Sequence, residues 1–307
     1  MGAYVARRLF FSIFVLWGAV SVIFLVLRLV PGDPALILLG PDANPSQIAA
    51  LRERMGLDEP MLVQYAIYMR DVVQLDFGTS FRFGTDAMQH VLDHVPNSAQ
   101  LALTSVGLAL VIGFPLGIIA ALKANSVVDR IISVFSLATQ SLPNFWVGIV
   151  FILVFARGLQ ILPSYGQGTW QHLVLPSITL ALPFLAILVR LTRSGLLEVI
   201  HEGYVQTARA KGLRERVVIF PHALRNALIP VVTVIGLQFG ALLGGAVIVE
   251  TVFAWPGVGR VLIESISHRD YGVVQAAILL IAAIFVFTNL VVDLLYGYLD
   301  PRVRLAG

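Results

Sequence analysis

The 307-residue sequence contains no cysteine and only two lysines, Lys123 and Lys211. The absence of cysteine excludes disulfide bonds, cysteine-based metal sites and thiolate catalysis. Neither lysine stands between a glycine and a serine or threonine, so the chain has no Gly-Lys-Ser/Thr loop for nucleotide phosphates. A formal net charge of +3, from 21 basic and 18 acidic residues, gives no support to nucleic-acid binding.

Motifs of common hydrolases are also missing. His201-Glu202 begins like the zinc-protease motif His-Glu-x-x-His, but position 205 is a valine. No Gly-x-Ser-x-Gly motif occurs, and no histidine lies deep inside an apolar run. The five methionines are confined to the N-terminus and the segment 31–96, so the apolar runs hold no evident ligand set for a transition metal. We therefore predict a non-enzymatic chain without a catalytic, cofactor or metal site of its own.

Charged residues are scarce and apolar residues are abundant. The chain is 13% charged and 58% hydrophobic, with a mean hydropathy of +0.86. Soluble domains are about 25% charged and about 45–50% apolar. The composition therefore excludes a disordered chain, argues against a soluble enzyme and indicates a protein embedded in a membrane.

Six stretches without Asp, Glu, Lys or Arg are long enough to cross a bilayer. A transmembrane helix needs about 20 mostly apolar residues, and a charge at the bilayer centre costs about 2.5–3.5 kcal/mol. The stretches are 9–27, 94–122, 131–156, 173–189 with its apolar lead-in, 226–249 and 271–292. We predict an all-α integral membrane protein with six transmembrane helices, so that both termini lie on one side.

The basic residues predict which side that is. Loops on the cytoplasmic side of a membrane carry an excess of Lys and Arg. With the N-terminus inside, 13 of the 21 basic residues lie on the inner side, and the short outer loops hold only Arg157, Arg260 and Arg269. Both termini are therefore predicted to be cytoplasmic.

Two long segments between the spans have distinct patterns. The outer segment, 31–96, contains Asn44-Pro45-Ser46-Gln47, which predicts a helix start with an N-cap, a proline at the first position and a capping glutamine. Further helices are predicted from Pro60 to about Leu75 and from Thr85 to Val95, packed on the ends of the spans. The inner segment, about 195–226, predicts a short basic helix that ends on Gly212.

Ala208, Ala210 and Gly212 keep one surface of this inner helix small, which suits a helix that enters a groove on another protein. A basic loop that touches lipid headgroups is the alternative. Tyr204 to Gly212, followed by 222–230, resembles the EAA loop of permease subunits in bacterial ABC importers. Gln206-Thr207-Ala208 stands where the general pattern has Glu-Ala-Ala, a departure typical of the dipeptide, oligopeptide and nickel branch.

The resemblance extends over essentially the whole chain. Similar motifs are Leu29–Pro34, Asp76–Ser80, Thr192–Ser194, Trp255–Arg260, Arg269–Tyr271 and Asn289–Tyr296. The long segment after the first span resembles the first, or B-type, permease of such importers. Residues 170–176 most resemble the glutathione-importing members.

The resemblance implies the type I ABC importer permease fold. Its expected parts are an N-terminal transmembrane helix at 1–30, the extracytoplasmic helical region 31–96, a five-helix core at 97–298 and a cytoplasmic tail at 299–307. It also implies a bacterial cytoplasmic membrane location and a heterodimer with a second homologous permease. Further implied partners are an extracytoplasmic substrate-binding protein and two ATP-binding subunits, or one fused pair, that bind ATP and Mg²⁺.

Di- or oligopeptides are the implied substrates, with glutathione or a nickel chelate as alternatives within the family. An ATP-independent secondary transporter is an alternative of a different class. It would need acidic groups deep in the membrane, and Glu250 and Asp293, at the ends of their apolar windows, are the only candidates. We expect Asp293 to form a structural pair with Arg190 or Arg193.

Three groups of residues are candidate functional sites. The resemblance implies that the ATPase-coupling residues are Tyr204, Gln206, Thr207, Ala208, Arg209, Lys211, Gly212 and Leu213. Neutral polar residues of the spans that could line a translocation path for a zwitterion are Gln140, Ser141, Asn144, Thr233 and Gln238. The candidates for an outer gate or a contact with the binding protein are Trp255, Pro256 and Gly257.

Overall fold

The structure is a computed structural model that describes residues 2–29, 35–36, 43–54, 56–80, 82–224, 227–228, 231 and 245–299. Within these ranges the chain is helical, and the β-structure consists of one isolated bridge between Thr79 and Asp86. The all-α fold class predicted from the sequence is confirmed.

Twelve α-helices are described with their bounds in the parts of the chain that the structure covers. In chain order they are α1 (Gly2–Leu29), α2 (Pro45–Arg54), α3 (Met61–Gln74), α4 (Ala87–Leu92), α5 (Val95–Leu122), α6 (Val127–Ser141), α7 (Asn144–Phe151), α8 (Trp170–Val199), α9 (Gly203–Ala210), α10 (Glu215–Val217), α11 (Val258–Ser267) and α12 (Tyr271–Leu299). The π-helical stretches Ile152–Gly158 and Val218–Leu224 extend α7 and α10, and residues 245–252 are also mostly helical.

Four helices of the described chain are long and apolar enough to cross a membrane. They are α1, α5, α8 and α12, and they correspond to four of the six predicted spans. A fifth candidate is the pair formed by α6 and the extended α7, which qualifies as one span only when its two parts are taken together. The predicted span 226–249 lies mostly outside the described residues. The count of six and the cytoplasmic termini stay predictions.

The predicted span over 131–156 is interrupted by a sharp bend. The helix α6 ends at Ser141, α7 begins at Asn144, and the two parts are bent by 105°. Pro143 explains the break, since a proline forces the residue before it into an extended conformation and lacks an N–H for the helix ladder. Leu142 accordingly has φ −88° and ψ 134°. This is a broken span or a re-entrant segment.

The helix starts and stops of the segment 31–96 agree closely with the sequence pattern. The Asn44 side chain accepts a hydrogen bond from the Ser46 N–H at 3.2 Å, and the Gln47 side chain accepts one from the Asn44 N–H at 3.4 Å. These two bonds form the predicted capping arrangement. The helix α3 ends where Leu75 takes a left-handed conformation, with φ 56°.

The chain divides into two compact units. The first comprises Met1–Asn97 and Pro256–Leu290, and the second comprises Ser98–Trp255 and Val291–Gly307. The predicted parts 1–30, 31–96, 97–298 and 299–307 stay predictions, and the return of 256–290 to the first unit was not among them.

In the first unit, α3 packs on the C-terminal part of α1. The Ser21 and Tyr65 hydroxyls are 2.7 Å apart, the rings of Phe24 and Tyr65 are in edge contact, and Arg28 Nε donates to Gln64 Oε1 at 2.8 Å. A separate apolar core joins α4, α11 and α12 through Val91, Val258, Val273 and their neighbours. The helices α3 and α4 of the segment 31–96 are therefore packed on long helices, as their amphipathic pattern predicts.

In the second unit, α8 is the central helix and α5 approaches it at two glycines. A Cβ added at Gly113 would lie 2.9 Å from Leu188 Cδ2. A Cβ added at Gly117 would lie 2.7 Å from Thr192 Cβ. Small residues four positions apart let two membrane helices approach this closely, and their association then depends on van der Waals contact.

Candidate functional site

The helix α9 forms the tip of the inner segment and ends in a glycine-dependent turn. Gly212 has φ +77°, its N–H donates to Arg209 O at 2.9 Å, and the Leu213 N–H donates to Ala208 O at 3.4 Å. This pair of bonds is the Schellman arrangement, in which a left-handed residue satisfies the last carbonyls of a helix. The glycine stop predicted from the sequence therefore has a backbone reason.

One face of α9 is anchored in the core of the second unit. Val205 is fully buried and Ala208 is 7% exposed, and both belong to an apolar cluster with Ala121, Leu196 and Val218. This cluster joins α9 to the C-terminal ends of α5 and α8. The core contact fixes α9 relative to two of the candidate membrane-spanning helices.

The predicted role of Ala208 needs a correction. Its side chain packs inside the chain's own core, so its small size serves intramolecular packing and not a surface for a partner. The outward surface of α9 and the turn that follows it consists of exposed residues, namely Tyr204, Gln206, Thr207, Ala210, Lys211, Gly212 and Leu213. Ala210 and Gly212 keep this outward surface small.

Arg209 holds the inner segment together. Its guanidinium donates to both carboxylate oxygens of Glu215, at 2.7 and 3.3 Å, and to Ile200 O at 3.4 Å. Hydrogen bonding to Arg209 lowers the pKa of Glu215, and the same bond raises the pKa of Arg209. Both side chains remain partly exposed, and the place of Arg209 among the ATPase-coupling residues stays a prediction.

The predicted translocation-path residues lie at the break between α6 and α7. Gln140 and Ser141 are exposed, and Asn144 is half-buried. Gln140 Oε1 accepts a hydrogen bond from Arg190 Nη1 of α8 at 3.3 Å. Thr233 and Gln238 lie outside the described residues. The structure thus brings together three of the five predicted path residues and adds Arg190.

A partly buried ion pair joins α6 to α8 near this polar surface. Arg193 Nε and Nη2 donate to the two oxygens of Asp129, at 2.6 and 2.7 Å. The expected pair of Asp293 with Arg190 or Arg193 stays a prediction, because the side chain of Asp293 lies outside the described part of the chain. Asp129 was missed because it lies 64 residues away in the sequence, and a charge-free window shows where charges lie but not which ones meet.

The three residues predicted at an outer gate are differently placed. Trp255 is 1% exposed and packs in the core of the second unit. In the first unit, Pro256 O accepts a hydrogen bond from Asn97 Nδ2 at 2.8 Å, and Gly257 is buried directly before α11. The buried indole presents no surface to a partner, and the contact with a binding protein stays a prediction.

Comparison with known proteins agrees with this architecture. Residues 113–305 match the family described as binding-protein-dependent transport system inner membrane component, and residues 1–102 match the N-terminal region of such membrane components. The dipeptide transport system permease protein DppB of Alkalihalophilus pseudofirmus is 42% identical over 99% of this chain and 100% of that protein. The glutathione transport system permease protein GsiC of Escherichia coli is 42% identical over 98% of each.

Two solved transporters share the fold. The methionine ABC transporter MetNI in inward-facing conformations gives a TM-score of 0.58 at 18% identity, covering 69% of this chain and 97% of that one. An amino acid ABC transporter with histidines gives 0.50 at 18% identity, covering 70% and 94%. At this identity the likeness concerns the fold alone. Together with the matched family, it shows that the chain belongs to the binding-protein-dependent transport system inner membrane components, the permease subunits of ABC importers.

Proposed function

We propose that this chain is one of two permease subunits in an ATP-driven importer of short peptides in the bacterial cytoplasmic membrane. The observation that carries the proposal is α9, which is anchored on one face by Val205 and Ala208 and exposed on the other. Relatives at 42% identity that are named for dipeptide and glutathione transport support the substrate class. Glutathione, itself a tripeptide, is the second candidate for the same reason.

The anchoring of α9 suggests how the chain couples to ATP hydrolysis. An ATPase subunit would dock on the exposed face around Thr207 and Gly212. Because Val205 and Ala208 share one core with Ala121 and Leu196, a displacement of α9 carries the ends of α5 and α8 with it. Packed elements switch as rigid bodies in this way.

The remaining partners follow from the family. A second homologous permease would complete the path, an extracytoplasmic binding protein would deliver the peptide, and two ATP-binding subunits, or one fused pair, would bind ATP and Mg²⁺. This division of labour agrees with a chain that has no Gly-Lys-Ser/Thr loop.

Reconstitution of the complete complex in proteoliposomes tests this proposal. We expect di- to hexapeptides or glutathione to stimulate ATP hydrolysis in the presence of the binding protein, and free Ni²⁺ to have no effect. Stimulation by free Ni²⁺ with no response to any peptide or glutathione would overturn the substrate assignment. Peptide uptake by this chain alone, without an ATPase subunit, would support the secondary-transporter alternative.

A further inference from the structure

Two arginines three residues apart in α8 have different surroundings. Arg193 forms the two-bond pair with Asp129. Arg190 is exposed, and among the residues that the structure describes it has no carboxylate partner; its one hydrogen bond goes to Gln140 Oε1 at 3.3 Å. A positive charge within an apolar span is costly, and such residues usually face a wet cavity and serve function.

Asp129 has no capacity left for Arg190. Its Oδ1 accepts from Arg193 Nε at 2.6 Å and from Ser133 Oγ at 3.3 Å. Its Oδ2 accepts from Arg193 Nη2 at 2.7 Å and from the Asn125 N–H at 2.9 Å. The segment 226–249, which is a candidate neighbour in the membrane, contains no acidic residue. Among the described side chains, which do not include that of Asp293, one arginine of α8 is thus neutralised and the charge of the other is available.

The available arginine lines a cavity between α6 and α8. The cavity has a volume of about 290 Å³, and its polar lining residues are Ser133, Ser136, Gln140, Arg190 and Arg193. Four of its lining residues, Ser133, Leu137, Gln140 and Arg190, are exposed. None of the described residues that line it is a carboxylate, so this lining is electropositive and offers hydrogen-bond donors. Since one water takes about 30 Å³ in the liquid, it can hold the end of a short peptide.

We propose that this cavity is a subsite for the carboxylate of the transported peptide, with Arg190 as the residue that recognises it. A guanidinium presents its N–H donors as a planar fork that matches a carboxylate, and a charged pair of this kind forms short, strong hydrogen bonds. Gln140 accepts a hydrogen bond from this guanidinium and adds its own amide donors to the cavity. The inference rests on the proposed function, since it names the chemical group by which a peptide is held.

Binding of a matched ligand pair tests the subsite directly. The permease–ATPase complex in nanodiscs, without binding protein, is titrated with tri-alanine and with tri-alanine C-terminal amide by saturation-transfer NMR. We expect the complex to bind the acid about tenfold more tightly than the amide, because a hydrogen bond to a charged group contributes that much. Arg190→Gln should bind both forms with the affinity of the amide, and Arg190→Lys should keep part of the preference.

Two further variants make the test specific. Gln140→Glu places a carboxylate beside Arg190 and thereby pairs its charge. This variant should therefore also lose the preference for the peptide acid over the amide, without leaving an unpaired charge. Arg130→Gln is the control, because Arg130 is an exposed arginine of α6 that does not line the cavity, and it should keep the full preference.

The subsite is refuted if the wild-type complex does not prefer the acid, or if assembled Arg190→Gln or Gln140→Glu retains the preference. It is also refuted if Arg190→Gln loses the second permease and Gln140→Glu retains the preference, since Arg190 would then belong to the subunit interface. Peptide uptake by the wild-type complex with its binding protein is measured in parallel. Absent uptake would sink the proposed function itself, whereas normal uptake without an acid preference would sink only the subsite.

Discussion

Substitution of Gly212 separates the backbone role of this glycine from its role at the proposed ATPase contact. With φ +77°, any residue that carries a Cβ is strained there by about 1–2 kcal/mol, and asparagine is strained less than alanine. A Cβ at this position meets no atom of the described chain within 4 Å. The permease itself therefore leaves room for a side chain, and any size-dependent damage must come from a partner.

The series Gly212→Ala, Gly212→Asn and Gly212→Glu distinguishes the two effects. If Gly212 is needed only for its backbone conformation, the Gly212→Asn variant should show higher peptide uptake than Gly212→Ala. The uptake by Gly212→Glu should then resemble that by Gly212→Ala. We expect a different order, in which the loss of peptide uptake increases from Gly212→Ala to Gly212→Asn to Gly212→Glu. Glutamate should lose at least about tenfold in uptake, because an unpaired charge buried at an interface costs several kcal/mol.

Peptide uptake in proteoliposomes and co-purification of the ATPase subunit measure this series. Membrane insertion, followed by the amount of chain in the membrane fraction, should stay constant across the three variants. Wild-type uptake by Gly212→Glu would refute the reasoning. The reasoning would also be refuted if Gly212→Asn kept wild-type uptake while Gly212→Ala and Gly212→Glu lost equal amounts. The backbone conformation alone would then explain the need for glycine.

Three further predictions concern packing, the ion pair and topology. Gly117→Ala should lower the thermal midpoint of the purified chain, because overpacking costs about 1–3 kcal/mol, whereas Gly107→Ala on the same helix, where a Cβ meets nothing within 4 Å, should not. Asp129→Asn should destabilise by about 3 kcal/mol by leaving Arg193 unpaired, and adding Arg193→Gln should recover part of that loss; additive effects would contradict the pairing. In this cysteine-free chain, Arg214→Cys should react with an impermeant thiol reagent only from the inner side, and labelling from outside would refute the predicted orientation.

Local features of the fold were predictable because their causes lie within a few residues. Asn44 and Gln47 cap α2, and Gly212 ends α9, each through bonds between near neighbours in the sequence. The charge-free windows located the four long helices for a similar reason, since burial in lipid depends on composition alone. The proline at 143 is also a local signal, but a span defined only by the absence of charged residues does not reveal a break.

Features that depend on distant residues were not predictable. The window ending at Arg190 stops short of the helix, because α8 continues to Val199 with Arg193 neutralised by Asp129. The inward position of Ala208 depends on the cluster around Leu196 and Val218, which no spacing within α9 reveals. The cavity at Gln140 and Arg190 likewise needs two helices that are distant in the sequence.

Photo-cross-linking from α9 tests the central claim, that its exposed face docks an ATPase subunit, most directly. Thr207→Cys, labelled with a benzophenone maleimide in the assembled complex, should give a covalent product with the ATPase subunit, since Thr207 is exposed on the outward face. The control Lys123→Cys places the same probe at an exposed residue of the same predicted side, outside α9, and should give little or none. A transport-competent complex that yields no product from position 207, or a product from position 123 alone, would contradict the account.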